Sequence, residues 1–467
     1  MKAFDNPSPA FLAIGKPARR AGCGRVMEPS QENVNEPSQS HPAMLFQAMR
    51  LFTQPPRLQK QQSWLAASLV ATLFILLLLW ALVYHVSTTQ MPAGIGQPLK
   101  VRILHVCSIM VYCLGYVLWQ LGLCGRFAVL RMLVDGFPSR KDPSLFVKDT
   151  YFNTVPVRVY QPKVSPSGPR KGVLFFHGGG GTFGSIDSYE SVCSYMARES
   201  DAVVVSVGYR LAPEHHYPAQ WNDCTTAAEY FLKNAEGFGV DPTCIVLSGD
   251  SIGGVMTAFL AQELSKRKDL PKPRAQVLVS PFLQGLDFNL LSYQENRWVP
   301  FVSQSDFLHL LFIYISKNMS AVEIALAESH IPEEKRTKYQ RWLNADNVPK
   351  ELKAKGFYQE FQLSSCPLDN IHTLIKTITG TNISPLIADD AVIQQLPDTF
   401  ILTCEYDVLR DDGLLYKKRL EDNGVKVSWC HLKEGFHGVF LLFNRLFLNF
   451  AFCQRGLDSV VSYINGL

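Results

Sequence analysis

Charge is scarce in this chain of 467 residues. Asp, Glu, Lys and Arg make up 18% of it and 47% is hydrophobic, whereas soluble chains carry about 25% charged residues. A deficit of that size goes with a membrane. The net charge of +4 is small and scattered, which excludes the dense basic patch of a nucleic-acid binder. None of the eleven cysteines stands in a CxxC pair or in a Cys/His cluster with metal-ligand spacing. No metal is therefore expected, and no cofactor. Many of these cysteines lie in apolar runs and read as small buried hydrophobes. Internal repeats are missing too, which removes the solenoid and propeller classes.

What is present falls into stretches of different character. Residues 1–62 are polar and Pro-rich, with Asn6-Pro7-Ser8-Pro9 and Glu28-Pro29-Ser30-Gln31. Such a composition cannot bury a core, so a flexible cytosolic tail is expected. Met44 offers an alternative start. Residues 63–86 are the expected transmembrane signal anchor. Trp64 to Val86 contains no Asp, Glu, Lys or Arg, and about 20 such residues cross a bilayer as a helix. Arg50, Arg57 and Lys60 precede the run, and no basic residue follows until Lys100. The positive-inside rule then keeps the N-terminus cytosolic and translocates the rest.

Residues 87–140 read as juxtamembrane or cap helices. Within them, Ile103 to Gly125 has two readings. It is apolar enough for a second span, and it also suits a helix lying on the membrane surface or roofing an active site. Two sequons, Asn318-Met319-Ser320 and Asn382-Ile383-Ser384, make Asn318 and Asn382 glycosylation candidates and favour a luminal catalytic part.

From 141 to 467 the pattern becomes α/β. Leu145–Asn153 and Val155–Pro162 suggest an antiparallel hairpin. Gly172–Phe176, Ala202–Val207, Cys244–Leu247, Ala275–Val279, Thr399–Cys404 and Val425–Cys430 are strand candidates. The first of them are short apolar runs of the kind found in buried parallel sheets. Helical patterns at 219–234, 255–266, 411–422 and 457–464 alternate with them. A doubly wound, mainly parallel sheet follows, with its functional loops at the C-terminal edge. The excursion between Pro281 and Thr399 is too long for a loop, so residues 288–395 are expected to form a cap.

One stretch organises this region. The strand Ile245-Val246-Leu247 runs into Gly249-Asp250-Ser251-Ile252-Gly253-Gly254 and then a helix. A serine on a sharp strand-to-helix turn presents its hydroxyl at the sheet edge, and Ser251 is the candidate nucleophile. Downstream, one strand ends at Asp407 and the next at His437, the order in which α/β-hydrolases supply the acid and the base. Glu405 is a weaker rival for the acid. Asp411 and Asp412 read as N-terminal carboxylates of the following helix. Upstream, Leu174-Phe175-Phe176 leads into His177-Gly178-Gly179-Gly180-Gly181, a loop whose N–H groups can reach an oxyanion. Gly179, Gly180 and Ile252 are the candidate donors, with His177 and Gly178 bracing the loop.

Together with Gly208-Tyr209-Arg210-Leu211-Ala212-Pro213-Glu214, these motifs resemble the hormone-sensitive-lipase branch of the α/β-hydrolases. With the N-terminal anchor, the chain is similar to the arylacetamide deacetylase family over roughly residues 60–467. That resemblance implies a single-pass type II protein of the endoplasmic reticulum membrane. Its luminal serine hydrolase would act on small apolar esters or arylamides, and Ile103–Gly125 would belong to the cap. Two departures stand out. Relatives carry a cysteine shortly after the glycines that pairs with the one aligned to Cys404, and Thr182 occupies that place here. Cys404 is then free or pairs with Cys193 or Cys430. A bulky aromatic commonly follows the triple glycine, and Gly181 stands there instead, so a wider acyl pocket or a looser loop is expected. The competing reading is a catalytically silent protein that binds hydrophobic ligands on the same fold.

Overall fold

The computed structural model describes residues 56–136, 141–166, 168–315, 321–327, 330–353, 372–445 and 448–467. Residues 1–55 of the expected tail, Asn318, and residues 354–371 of the expected cap lie outside them. The chain divides into two compact units, Met1–Thr88 and Thr89–Leu467. In the first, helix α1 (Pro56–Thr88) contains the uncharged run from Trp64 to Val86. Ser68 and Thr88 return their hydroxyls to the carbonyls of Leu65 and Tyr84 one turn back. Polar groups so satisfied within the helix suit a lipid environment.

The second unit opens with α2 (Pro98–Gln120) and α3 (Ala128–Asp135). Helix α2 is long and apolar enough to cross a membrane by length and composition. It begins before the expected Ile103 and stops before Leu121. Val101, Leu104 and Gly115 are buried, and His105 Nδ1 accepts from the Phe301 N–H at 3.1 Å.

An eight-stranded sheet follows, made of β1 (Leu145–Phe152), β2 (Val155–Pro162), β3 (Arg170–Phe176), β4 (Val203–Val207), β5 (Val240–Asp250), β6 (Ala275–Val279), β7 (Asp398–Tyr406) and β8 (Val427–Phe436). Its order is β1-β2-β4-β3-β5-β6-β7-β8. The β1/β2 hairpin and the β2/β4 pair are antiparallel, and the rest is parallel. This is the doubly wound architecture expected from the sequence. Alternate side chains of each strand enter different apolar layers. Leu174 and Phe176 join one with helices α5 (Ala219–Lys233), α6 (Ile252–Lys266) and α10 (Arg410–Asp422). Val173 and Phe175 join the other with α4 (Glu190–Ser200) and α11 (Ala451–Asn465).

Between β6 and β7 the chain makes its helical excursion, including α7 (Gln304–Ile315), α8 (Ala321–Leu326) and α9 (Glu333–Leu343). Its first part is tied down by two buried carboxylates of α10. Asp412 accepts the N–H groups of Leu283 and Gln284, and Asp411 accepts that of Ser292. Both residues do sit in the first turn of α10, as expected. Their oxygens nevertheless hold the cap entry rather than only facing their own helix.

Register positions the site. Phe176 pairs with Gly249, Asp250 with Val279, Val279 with Leu402, and Tyr406 with Phe436. The residues that follow β3, β5, β7 and β8 therefore emerge side by side at the C-terminal edge. The start of α6 is pressed against the end of β3. A Cβ on Gly253 would lie 2.0 Å from the Phe176 carbonyl oxygen and 2.8 Å from that of His177. Gly253→Ala must push α6 away from β3. We expect a cost of about 1–3 kcal/mol, seen as a lower thermal midpoint, and an unchanged midpoint would show that α6 has room to move.

Candidate active site

Ser251 adopts φ 58° and ψ −116°, a strained conformation for a residue with a side chain. The turn holds because Ser251 N–H donates to Val279 O at 2.9 Å on one side and Ser251 O accepts from Gly254 N–H at 2.9 Å on the other. The strained turn aims the hydroxyl across the sheet edge. Ser251 Oγ lies 2.8 Å from His437 Nε2. His437 Nδ1 lies 2.9 Å and 3.0 Å from the two oxygens of Asp407. One of those oxygens also accepts the Leu409 N–H at 2.8 Å, and Asn296 Nδ2 donates to the Asp407 carbonyl. All three side chains are buried. An alcohol, an imidazole and a carboxylate in this chain let the ring take the hydroxyl proton as the oxygen attacks.

Glu405 points elsewhere. The β7/β8 ladder is irregular between Cys404 and Tyr406, and such a break re-aims side chains. Glu405 bonds His431 Nε2 at 2.8 Å and Arg410 at 3.3 Å. The rival acid is thus occupied on another imidazole.

Burial opposes protonation of His437, but the Asp407 carboxylate, its hydrogen bond and the more distant Asp250 outweigh it. The imidazole pKa is raised. Asp250, to which the sequence reading assigned no role, is fully buried and accepts the Tyr189 hydroxyl at 2.6 Å. Burial lifts its pKa to about 6, against the pull of Tyr189 and His437. The motif Gly-Asp-Ser did place Asp250 next to the serine, but Tyr189 comes from far along the chain.

The glycine loop lies against this turn. Gly179, Gly180 and Gly181 have positive φ of 113°, 60° and 67°. Thr182 and Phe183 N–H groups close the loop on the Gly179 carbonyl. Ile252 opens α6, where the first N–H groups have no intrahelical partner. His177 is buried, its Nδ1 2.8 Å from the Gly178 carbonyl oxygen and its ring stacked on Tyr209 at 4.1 Å. Burial lowers its pKa to about 4. It stays neutral and braces the loop together with Gly178, beside which the Tyr189 hydroxyl and Asp250 pack.

The two departures are compensated. Thr182 is buried, donates its hydroxyl to the Gly179 carbonyl at 3.2 Å, and its own carbonyl is held by Arg131 Nε at 2.9 Å. Cys193, Cys404 and Cys430 form no disulfide, and the buried Cys404 accepts the Ser280 hydroxyl. The space beside Gly181 is filled from the cap. A Cβ there would meet the Tyr314 ring at 2.5 Å, and one on Gly180 would meet Leu310 at 3.0 Å. Leu310 and Tyr314 stand one turn apart on α7, so the cap supplies the aromatic that the loop lacks. Asn382 is half-buried with its amide nitrogen turned onto the Tyr217 hydroxyl, and Ser384 of its sequon is buried.

A mainly parallel sheet with its serine on a strained strand-to-helix turn, a glycine loop beside it and a helical cap above defines the α/β-hydrolase class. The family model described as the alpha/beta hydrolase fold matches residues 173–354 and 363–441. Within that class the chain belongs to the arylacetamide deacetylase family. It is 42% identical over 406 residues to arylacetamide deacetylase-like 4 of Homo sapiens, covering 86% of this chain and 99% of that protein. Neutral cholesterol ester hydrolase 1 of Rattus norvegicus is 34% identical over 412 residues, covering 84% and 98%. Carboxyl esterase 2 of the fungus Tuber melanosporum superposes with a TM-score of 0.53 at 20% identity, covering 70% and 88%, a likeness of fold.

Two outcomes follow from this geometry. The ring must be neutral to accept a proton, and its pKa is raised, so labelling of Ser251 by a fluorophosphonate should fall as pH drops through a midpoint above 6.5. Asp407→Asn leaves only the more distant Asp250 to offset burial, so the midpoint should fall and the rate drop by roughly 10⁴-fold. The Tyr314 hydroxyl is buried with no partner. Tyr314→Phe should hold or raise the thermal midpoint, whereas Tyr314→Ala should cost about 3–5 kcal/mol.

Proposed function

We propose that this chain is a membrane-anchored serine hydrolase of carboxylic esters with apolar acyl groups. The observation that carries the reading is the continuous chain from Ser251 Oγ through His437 to Asp407. Ser251 attacks the ester carbonyl while His437 Nε2 takes its proton. The developing oxyanion is met by the N–H groups of Gly179, Gly180 and Ile252, each worth about 3 kcal/mol in the transition state. His437 then returns the proton to the leaving alcohol, and Asp407 holds the imidazolium in place. Water enters by the same base to release the acid. Arylamides are a second substrate class, with the same steps and an amine as leaving group.

Apolar substrate is supported by the aromatic-rich cap over a buried serine, and by likeness to a relative named for cholesterol esters. In this reading α1 is the anchor of a type II protein of the endoplasmic reticulum, with residues 87–140 and 141–467 on the luminal side. Asn318 is then the sequon for a glycan, since the Asn382 amide and the Ser384 hydroxyl are engaged within the fold.

In sealed microsomes, a fluorophosphonate probe should label wild type and not Ser251→Ala. The catalytic part should resist added protease, and Asn318→Gln should remove a glycosidase-sensitive shift. Equal labelling of wild type and Ser251→Ala would sink the mechanism, and protease access to an unglycosylated catalytic part would sink the topology.

A further inference from the structure

Helix α2 is predominantly apolar, yet the protein covers only one side of it. At about 100° per residue, Leu99, Ile103, Met110, Leu114, Val117 and Leu121 fall within a stripe of about 60°. All six are exposed, Leu99 by 70% and Leu121 by 66%. Val101, Leu104 and Gly115, on the opposite side, are buried. Only 17% of the most apolar window of the helix is buried. A stripe this long and this apolar is far from the scattered single exposures of ordinary surfaces.

The covered side of α2 reaches the site. His105 accepts the Phe301 N–H, and Phe301 lies 3.3 Å from where a Cβ of Gly438, the residue after His437, would stand. Phe301 leads into α7, whose Leu310 and Tyr314 cover the glycine loop. At the other wall, Arg131 of α3 holds the carbonyls of Thr182 and Ala212 and pairs with Glu214. The α2–α3 hairpin therefore bridges both walls of the Ser251 site while its outer face stays bare.

We propose that this outer face rests on a phospholipid bilayer and that apolar esters pass from the lipid to Ser251 beside it. One observation chooses lipid over a second copy of the chain. No Asp or Glu occurs between Glu36 and Asp135, while Lys100, Arg102 and Arg126 all fall within that interval. That sign suits phosphate headgroups and would repel the same face of another copy. Substrate delivery rests on the hydrolase reading above, whereas lipid contact does not.

The full chain, reconstituted in phosphatidylcholine vesicles with p-benzoyl-phenylalanine in place of Val117, should crosslink to lipid on illumination. The yield should be at least tenfold above that from the same group at Val164, which is more exposed than Val117. Equal yields at both positions, or adducts only to residues 56–88 or to a second copy, overturn the proposal. A Leu114→Asp/Leu121→Asp variant should hydrolyse a water-soluble acetate ester within twofold of wild type. It should lose at least fivefold on a long-chain ester dissolved in the vesicles. Equal effects on the two esters overturn the delivery step. A lipid adduct at position 117 with no turnover of either ester by wild type leaves docking standing and removes the hydrolase reading.

Discussion

The close approach of two backbones, the end of β3 and the start of α6, is the constraint on which the rest of this structure depends. Gly253 leaves the Phe176 carbonyl no room for a side chain, and Gly249 does the same toward the Gly253 carbonyl. Because these segments touch, the glycine loop that follows β3 and the serine that follows β5 share one small volume. The positive φ of Ser251 is the local strain that results, and the hydrogen bonds to Val279 and from Gly254 hold it. Strain of this kind persists only where surrounding structure over-determines it. Here a strand on each side and a helix N-terminus do so.

Buried charge organises the other half of the site. His437 is bonded to Asp407, and Asp250 stands behind the serine on Tyr189. An imidazole between two carboxylates is stabilised in its charged form even though burial opposes it. A second group of carboxylates, Asp411 and Asp412, fixes where the cap begins. Burial raises the Asp412 pKa to about 8 despite the donors around it, so the cap entry is held at an electrostatic cost. Arg410, buried among Glu295, Glu405 and Asp411, joins that group to the strand that leads to Asp407.

The departures from the family pattern illustrate how a fold absorbs substitution. A loop that lacks both the usual cysteine and the usual aromatic is closed instead by a hydroxyl, an arginine and a tyrosine from three different elements. Thr182 bonds back to Gly179, Arg131 reaches across from α3, and Tyr314 descends from α7. The consequence is that the loop and the cap are one packed body.

Much of this was legible in the chain. Eight parallel or hairpin strands and the helices between them could be read from apolar runs and periodicity, because buried strands need continuous hydrophobic segments. Ser251, Asp407 and His437 could be read from strand ends, because in a parallel sheet every C-terminal end opens on the same edge. Local sequence also marked α1 and α2 as apolar. Tertiary structure alone decided the partners. It turned Glu405 onto His431, brought Tyr189 to Asp250, and filled the place at Gly181 with Tyr314. It also buried one side of α2 and left the other bare. Each of those outcomes depends on residues distant in sequence meeting in space, which periodicity and motif spacing do not encode. The sequence by itself thus determined the chemistry that the sheet edge presents, and packing between distant segments decided the surroundings in which that chemistry is held.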